Sequence, residues 1–290
     1  MTAAFITWNP DPIAFHLLSF PVRWYSICWA LALLLGFYNM GRLYRSQKIP
    51  EEVFNPLFMY CFFGVFIGAR LGHCLFYEPL YYLNHITEML LPIHKFPTGW
   101  RITGYEGLSS HGGVIGMFFS LWLYSRKMGM SYLHILDNMG IIAPLSAACI
   151  RFGNVMNSEI VGVPTSMPWG VIFAANGEDF ARHPAQFYES MFYVLVFVAA
   201  VCLYSREKYR KKVGEGFFFG FCVFTIFTFR FFIEFIKEDQ VESEAAFLLN
   251  IGQMLSIPLA LVGLYCMLGG KYCKRYAERF GTEKFSSKRK

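Results

Sequence analysis

Charge is what this chain has least of. Only 16% of its 290 residues are Asp, Glu, Lys or Arg, against roughly a quarter in an ordinary soluble domain. So sparse a charged surface argues against a water-soluble globule. Other shortages narrow the field further. The eight cysteines form no CxxC pair and show no metal-ligand spacing, so neither a zinc module nor a disulfide scaffold is indicated. No His-rich set, P-loop or two-aspartate phosphotransferase signature is present, so no metal and no cofactor is expected. There is no 20-to-50-residue repeat and no long linker, which points to a single integral-membrane domain over residues 1–290. The opening MTAAFITWNPDPIAF has no basic stretch of the kind that begins a cleaved signal peptide.

What is abundant is apolar residue, 55% of the chain with 19% aromatic, gathered in blocks. A span of about 20 apolar residues crosses the hydrocarbon core of a bilayer. Blocks near that length lie at residues 17–40, 55–77, 112–124, 132–150, 185–204, 216–236 and 246–269; the third is short unless residues 107–110 extend it. The expectation is an all-α polytopic membrane protein with about seven transmembrane helices.

The basic residues test that count independently, because cytoplasmic connections carry excess Lys and Arg. Clusters follow the first, third, fifth and seventh blocks and hold 18 of the 26 lysines and arginines, with a basic tail at 270–290. The connection at 238–244 is acidic. This alternation places the N-terminus outside and the C-terminus inside. The net charge of +6 is then a topology signal with some attraction to anionic membrane lipid, and no nucleic-acid partner is inferred. Room for structure outside the bilayer exists mainly at 78–110 and 154–184.

In this topology the polar residues within the spans share one depth. Arg70 lies near the outer end of span two, His111 opens span three and Arg151 closes span four. His183, Gln186, Tyr188 and Glu189 open span five; Arg230 and Glu234 lie toward the outer end of span six, and Gln253 lies in span seven. Singly, each has a plain account. An arginine at a span end can snorkel to the headgroups, Arg230 and Glu234 can neutralise each other at i, i+4, and the glycines suit close helix packing. Together they make a costly polar cluster in the outer leaflet, and such groups usually face a wet cavity or the bundle interior.

The cluster suits an anionic phospholipid reached laterally. Guanidinium forks bind phosphate oxygens in pairs, Asn and Gln hold neutral hydroxyls, and histidine takes a proton near neutral pH. On a helix Arg151, Asn154 and Ser158 share one face.

At these residues the chain resembles the prolipoprotein diacylglyceryl transferases of bacterial inner membranes. RFGNVMNSEIVG fits that family's Arg-x-Gly-Asn-x-x-Asn-x-Glu run and its following glycine. VRWYSICW, GARLGHCLFY, SSHGGVIG, HPAQFYE, RFFIEF and GQMLSIP fit in the same order, over about residues 21–258. Two positions depart: Ile226 stands where the family has a tyrosine, and Lys237 where an arginine is frequent. The resemblance implies transfer of the diacylglyceryl group of phosphatidylglycerol to the lipobox cysteine of a prolipoprotein signal peptide, with glycerol phosphate leaving. It implies Arg151 and Arg230 on the phosphate, and His111 or arginine-assisted ionisation for the thiol. Asn154, Asn157 and Glu159 would hold the glycerol head or orient the arginines, and Gly162 would allow close backbone approach. Glu234 would position Arg230, with Tyr25, Arg70, His183, Gln186 and Gln253 around them. A non-enzymatic lipid transporter is the rival reading. It would want polar residues in the inner half of the spans or an inverted repeat, and neither is clear.

Overall fold

A computed structural model describes residues 5–18, 20–91, 93–96, 99–102, 107–238 and 249–280. Part of the 78–110 connection, most of the acidic 238–244 connection and the last ten residues of the basic tail lie outside these. The described chain is mostly helical: α1 Trp24–Ser46, α2 Leu57–Phe76, α3 Ser110–Met128, α4 Tyr132–Met156, α5 Ala185–Ser205, α6 Phe217–Ile233, α7 Ile251–Met267 and α8 Lys271–Phe280, with short helical turns between them. Five helical stretches are long and apolar enough to cross a bilayer, or six if α7 and α8, bent by 53°, are taken as one span. The chain is therefore a polytopic helical membrane protein. The seventh expected span is α3. It has the length, at 19 residues, but Ser110, His111, Ser120, Ser125, Arg126 and Lys127 leave it less apolar than the others.

Three two-stranded ribbons supplement the helices, which an all-α reading omits. They are β1 (Ile6–Trp8) parallel to β6 (Val171–Phe173), β2 (Ile13–Leu17) antiparallel to β3 (Phe20–Arg23), and β4 (Ile93–Phe96) antiparallel to β5 (Gly99–Ile102). The β2–β3 hairpin accounts for one boundary shift. The apolar block beginning at 17 becomes hairpin up to Arg23, and the helix starts at Trp24, whose N–H donates to the Pro12 carbonyl at 3.1 Å. Hydropathy cannot tell an apolar strand from the first turns of an apolar helix.

Two compact units divide the contacts: residues 1–43 with 136–282, and residues 44–135 with 283–290. In the second, α2 and α3 pack along a glycine seam. A Cβ on Gly68 would run into the Gly112 carbonyl and the Gly116 backbone, so the helices approach through small residues as membrane helices commonly do. In the first unit Gly220 and Gly263 do the same for α6 and α7. There Asp137, fully buried on α4, accepts from the N–H groups of Gly214 (2.7 Å), Gly216 (2.9 Å) and Phe219 (2.9 Å). A carboxylate there complements the positive end of the α6 dipole and caps its free N–H groups.

Candidate active site

The signature run begins inside α4, which continues past the end of the apolar block to Met156. Arg151 and Asn154 are thus helical, at i and i+3 on one face, and the Arg151 Nη1 reaches the Asn154 side-chain oxygen at 3.4 Å. Ser158 does not continue that face. It has a φ of 55°, and Ile160 one of 57°, left-handed values that cost a side-chain-bearing residue roughly 1–2 kcal/mol. These turns fold Glu159 back over the helix end. The Glu159 N–H donates to the Asn154 carbonyl at 3.0 Å. Its carboxylate accepts from the side-chain amides of Asn157 at 2.8 Å and Asn154 at 3.2 Å. Asn154, Asn157 and Glu159 are thus brought together around the end of α4, with Asn154 also facing Arg151.

Glu189, on the second turn of α5, sits beneath Arg151 and has no solvent exposure. One oxygen lies 3.0 Å from the Arg151 Nε and the other 3.5 Å from the Lys237 ammonium. Lys237 is itself nearly buried and lies 3.0 Å from Glu234 Oε1, which also faces the Arg230 Nε at 3.4 Å. The result is an unbroken row, Arg151–Glu189–Lys237–Glu234–Arg230, with three positive charges and two negative ones. Burying charges is costly unless they are paired in this way. The row keeps one positive charge in excess, and both arginines are held by Nε, with Arg230 more than a third exposed along its side chain.

The start of α7 closes on this row. Asn250 caps the helix in a reciprocal capping box with Gln253 and donates to Glu234 Oε2 at 3.4 Å. A Cβ on Gly252 would lie 2.7 Å from the Glu234 carboxyl carbon, so the carboxylate packs directly against the first turn of α7. Gln253 Nε2 donates to the Phe231 carbonyl at 3.4 Å. Gln253 thus ties the start of α7 to the end of α6.

Gly162 lies where three segments meet. Its N–H donates to the His183 carbonyl at 2.8 Å, the Val163 N–H to Ile236 at 3.0 Å, and the Glu238 N–H to Val161 at 3.2 Å. A Cβ on Gly162 would stand 2.5 Å from the Ile236 oxygen and 2.7 Å from His183, so close approach does demand glycine. Arg182 locks the junction. It donates to both Glu178 oxygens at 2.6 and 2.7 Å and to the Gly162 carbonyl at 3.2 Å, and lies 3.1 Å from Glu238. The Glu178 carboxylate raises the Arg182 pKa further above its usual value. His183 Nδ1 is 3.3 Å from the Tyr188 hydroxyl, which accepts from Trp169 at 2.9 Å. Tyr25 packs on Gly153, where a Cβ would come within 2.9 Å of its ring.

Gln186 is fully buried, and neither its amide nitrogen nor its oxygen has a hydrogen-bond partner among the described residues. A buried amide without a partner costs about 1–3 kcal/mol. Arg70 and His111 belong to the other unit. Arg70 is buried, donates to the carbonyls of Glu88 (2.6 Å), Met89 (3.2 Å) and Gly107 (3.4 Å), and stacks on Tyr82 at 4.8 Å. His111 is the exposed second residue of α3, behind a Ser109 N-cap.

Sequence reasoning placed Glu189 in the polar cluster and noted Lys237 only as a departure, gave neither a role at the site, and did not mention Arg182. Glu189 stands three residues after Gln186 in the same motif, and Lys237 three after Glu234, so helical spacing carried a signal for both. Arg182 left none, because its partners are set by chain reversals.

Apolar spans ending in a row of alternating cations and carboxylates define a polytopic helical membrane protein with a charged cluster at its helix ends. The description of the prolipoprotein diacylglyceryl transferase family matches residues 12–269, and the chain belongs to that family. It is 49% identical over 263 residues to the phosphatidylglycerol–prolipoprotein diacylglyceryl transferase of Bacteroides fragilis, covering 90% of this chain and 94% of that one. It is 39% identical over 264 residues to the protein of that name from Chloroherpeton thalassium, with 91% and 93% covered. The Porphyromonas gingivalis protein of that name is 38% identical over 279 residues, with 91% and 94% covered.

Proposed function

We propose that this chain transfers the diacylglyceryl group of phosphatidylglycerol to the lipobox cysteine thiol of prolipoprotein signal peptides. It works in the bacterial cytoplasmic membrane with seven spans, the N-terminus outside and the reacting groups in the outer leaflet. The observation that carries the reading is the Arg151–Glu189–Lys237–Glu234–Arg230 row. Its single excess positive charge complements a phosphodiester, which carries one negative charge.

The chemistry must overcome a weak electrophile and a nucleophile that is sluggish until ionised. The cysteine sulfur attacks the glyceryl carbon bearing the phosphate ester. A C–S bond forms, the C–O bond breaks, and glycerol phosphate leaves with the bonding electrons. Negative charge grows on the phosphate in that step, and fixed guanidinium groups there favour the transition state over the ground state. Arg151 and Arg230 take this role. Glu189 and Glu234 hold the two arginines by Nε, and Asn154 with Glu159 steadies Arg151. Gln186 and Asn157 supply polar partners for the glycerol hydroxyls. His111 takes the thiol proton on its chemistry, or the arginines stabilise the thiolate directly.

The test is direct. Purified protein is incubated with phosphatidylglycerol and a lipobox peptide, and the peptide mass is measured. A diacylglyceryl addition, abolished in Arg151→Ala, is the expected result; an unmodified peptide under all lipid conditions overturns the reading.

A further inference from the structure

Tyr193 lies in the same unit as the charged row. It stands on α5, one turn beyond Glu189, and is only 5% exposed. Its hydroxyl meets the Arg151 guanidinium, and Arg230 and Glu189 are the other charged groups within its electrostatic reach. Packing fixes α5 against both neighbours at this level. Ser190 Oγ donates to the Ala148 carbonyl of α4 at 2.9 Å, and the rings of Phe192 and Phe229 stack at 3.9 Å between α5 and α6. Residues i and i+4 share a helix face, so Glu189 and Tyr193 both address Arg151.

A guanidinium carries five N–H donors and no acceptor, so the phenol oxygen is the acceptor in its contact with Arg151. Glu189 meets the Arg151 Nε at 3.0 Å and Asn154 meets Nη1 at 3.4 Å. With Tyr193, three of the five donors are engaged. The two that remain match the paired grip of a guanidinium on a phosphate. The holders differ in charge. Glu189 offsets the cation it holds, whereas a phenol is uncharged near neutral pH and fixes the same fork without cancelling its charge. A further carboxylate in its place would erase the one excess positive charge of the row. We propose that Tyr193 is a positioning residue for the transfer, a neutral acceptor that fixes the Arg151 fork and leaves its charge to the phosphate. The proposal rests on the proposed reaction for the identity of that phosphate. Filling space does not call for a phenol here: Val196 and Ala200, farther along the same face of α5 and equally buried, do so with aliphatic groups.

The test uses full-length protein in nanodiscs of phosphatidylcholine with a varied fraction of phosphatidylglycerol. Tyr193→Phe keeps the ring and its packing and removes only the acceptor. Transfer kcat to a lipobox peptide should fall about tenfold or more, because the fork matters most as charge grows on the phosphate, with KM for phosphatidylglycerol within about threefold. Tyr124→Phe is the comparator for a lost buried phenol. The Tyr124 hydroxyl donates to the Val53 carbonyl at 2.6 Å in the other unit, and its removal should lower Tm and leave kcat unchanged. An unchanged kcat in Tyr193→Phe, or a loss confined to KM, would overturn the proposal. The NMR signal of the Arg151 Nε–H reads the fork directly, in protein carrying isotope-labelled arginine and assigned by its disappearance in Arg151→Lys. Its exchange with solvent should quicken about tenfold in Tyr193→Phe. If the unsubstituted protein transfers nothing and that exchange still quickens, the reaction fails and the positioning stands. If exchange is the same with and without the phenol, the positioning fails whatever the transfer assay gives.

Discussion

Arg70 and Arg151 have the same side chain near the ends of two apolar helices, yet they are satisfied in opposite ways. Arg70 spends its donors on the backbone carbonyls of Glu88, Met89 and Gly107, so it clasps one connection to its helix. Arg151 is held by Nε against one carboxylate, by a long bond to Asn154 and by the Tyr193 hydroxyl. Arg230 is held the same way by Glu234. On the proposed function the carbonyl-bound arginine acts as a structural staple, and the two arginines gripped by a carboxylate along one edge face the lipid phosphate. Arg182 is closer to Arg70 in kind, being engaged by Glu178, Glu238 and the Gly162 carbonyl together.

The largest expected effect comes from the ligand-facing side of this contrast. Arg151→Lys keeps the charge but loses the fork, and transfer to a lipobox peptide should fall about 100-fold or more. Full transfer by that variant would show that Arg151 does not grip phosphate. Glu189→Gln should come next. It leaves Lys237 and Arg151 short of a buried partner, a change that typically costs about 3–5 kcal/mol, read as a lower Tm together with reduced kcat. Arg70→Lys should act on stability alone, by about 1–3 kcal/mol, with KM for phosphatidylglycerol within about threefold of the unsubstituted protein. A larger KM change than Tm change would erase the distinction between the two arginines.

The smallest effect concerns Tyr81, whose phenol donates to Glu88 at 2.6 Å and is pushed up to about 12 by that bond. In the unfolded chain the phenol ionises near pH 10. Its contribution is thus complete below about pH 10 and is lost as pH rises toward 12. Tyr81→Phe should flatten the fall in thermal stability between those limits, and identical pH profiles would remove the bond from the account.

Much of this was legible in the residues. Long apolar blocks with basic clusters on alternate connections predicted a polytopic helical protein, because a bilayer leaves the backbone few ways to satisfy its hydrogen bonds. RFGNVMNSEIVG pointed to a polar cluster, and Arg151, Asn154 and Glu159 do come together. Ser158 was misread as helical because periodicity cannot foresee a left-handed turn. Residues 17–23 looked like span for the same kind of reason, since local hydropathy does not distinguish hairpin from helix.

By itself the sequence determined the solvent this protein lives in and which groups could do its chemistry, because burial in lipid and side-chain type are properties of single segments. Only the tertiary structure decided which arginines meet carbonyls and which meet carboxylates, and that Lys237 joins Glu189 to Glu234. It also decided that Gly162 must be glycine. Each depends on distances between segments far apart in the chain, and those are set by packing rather than by any local pattern.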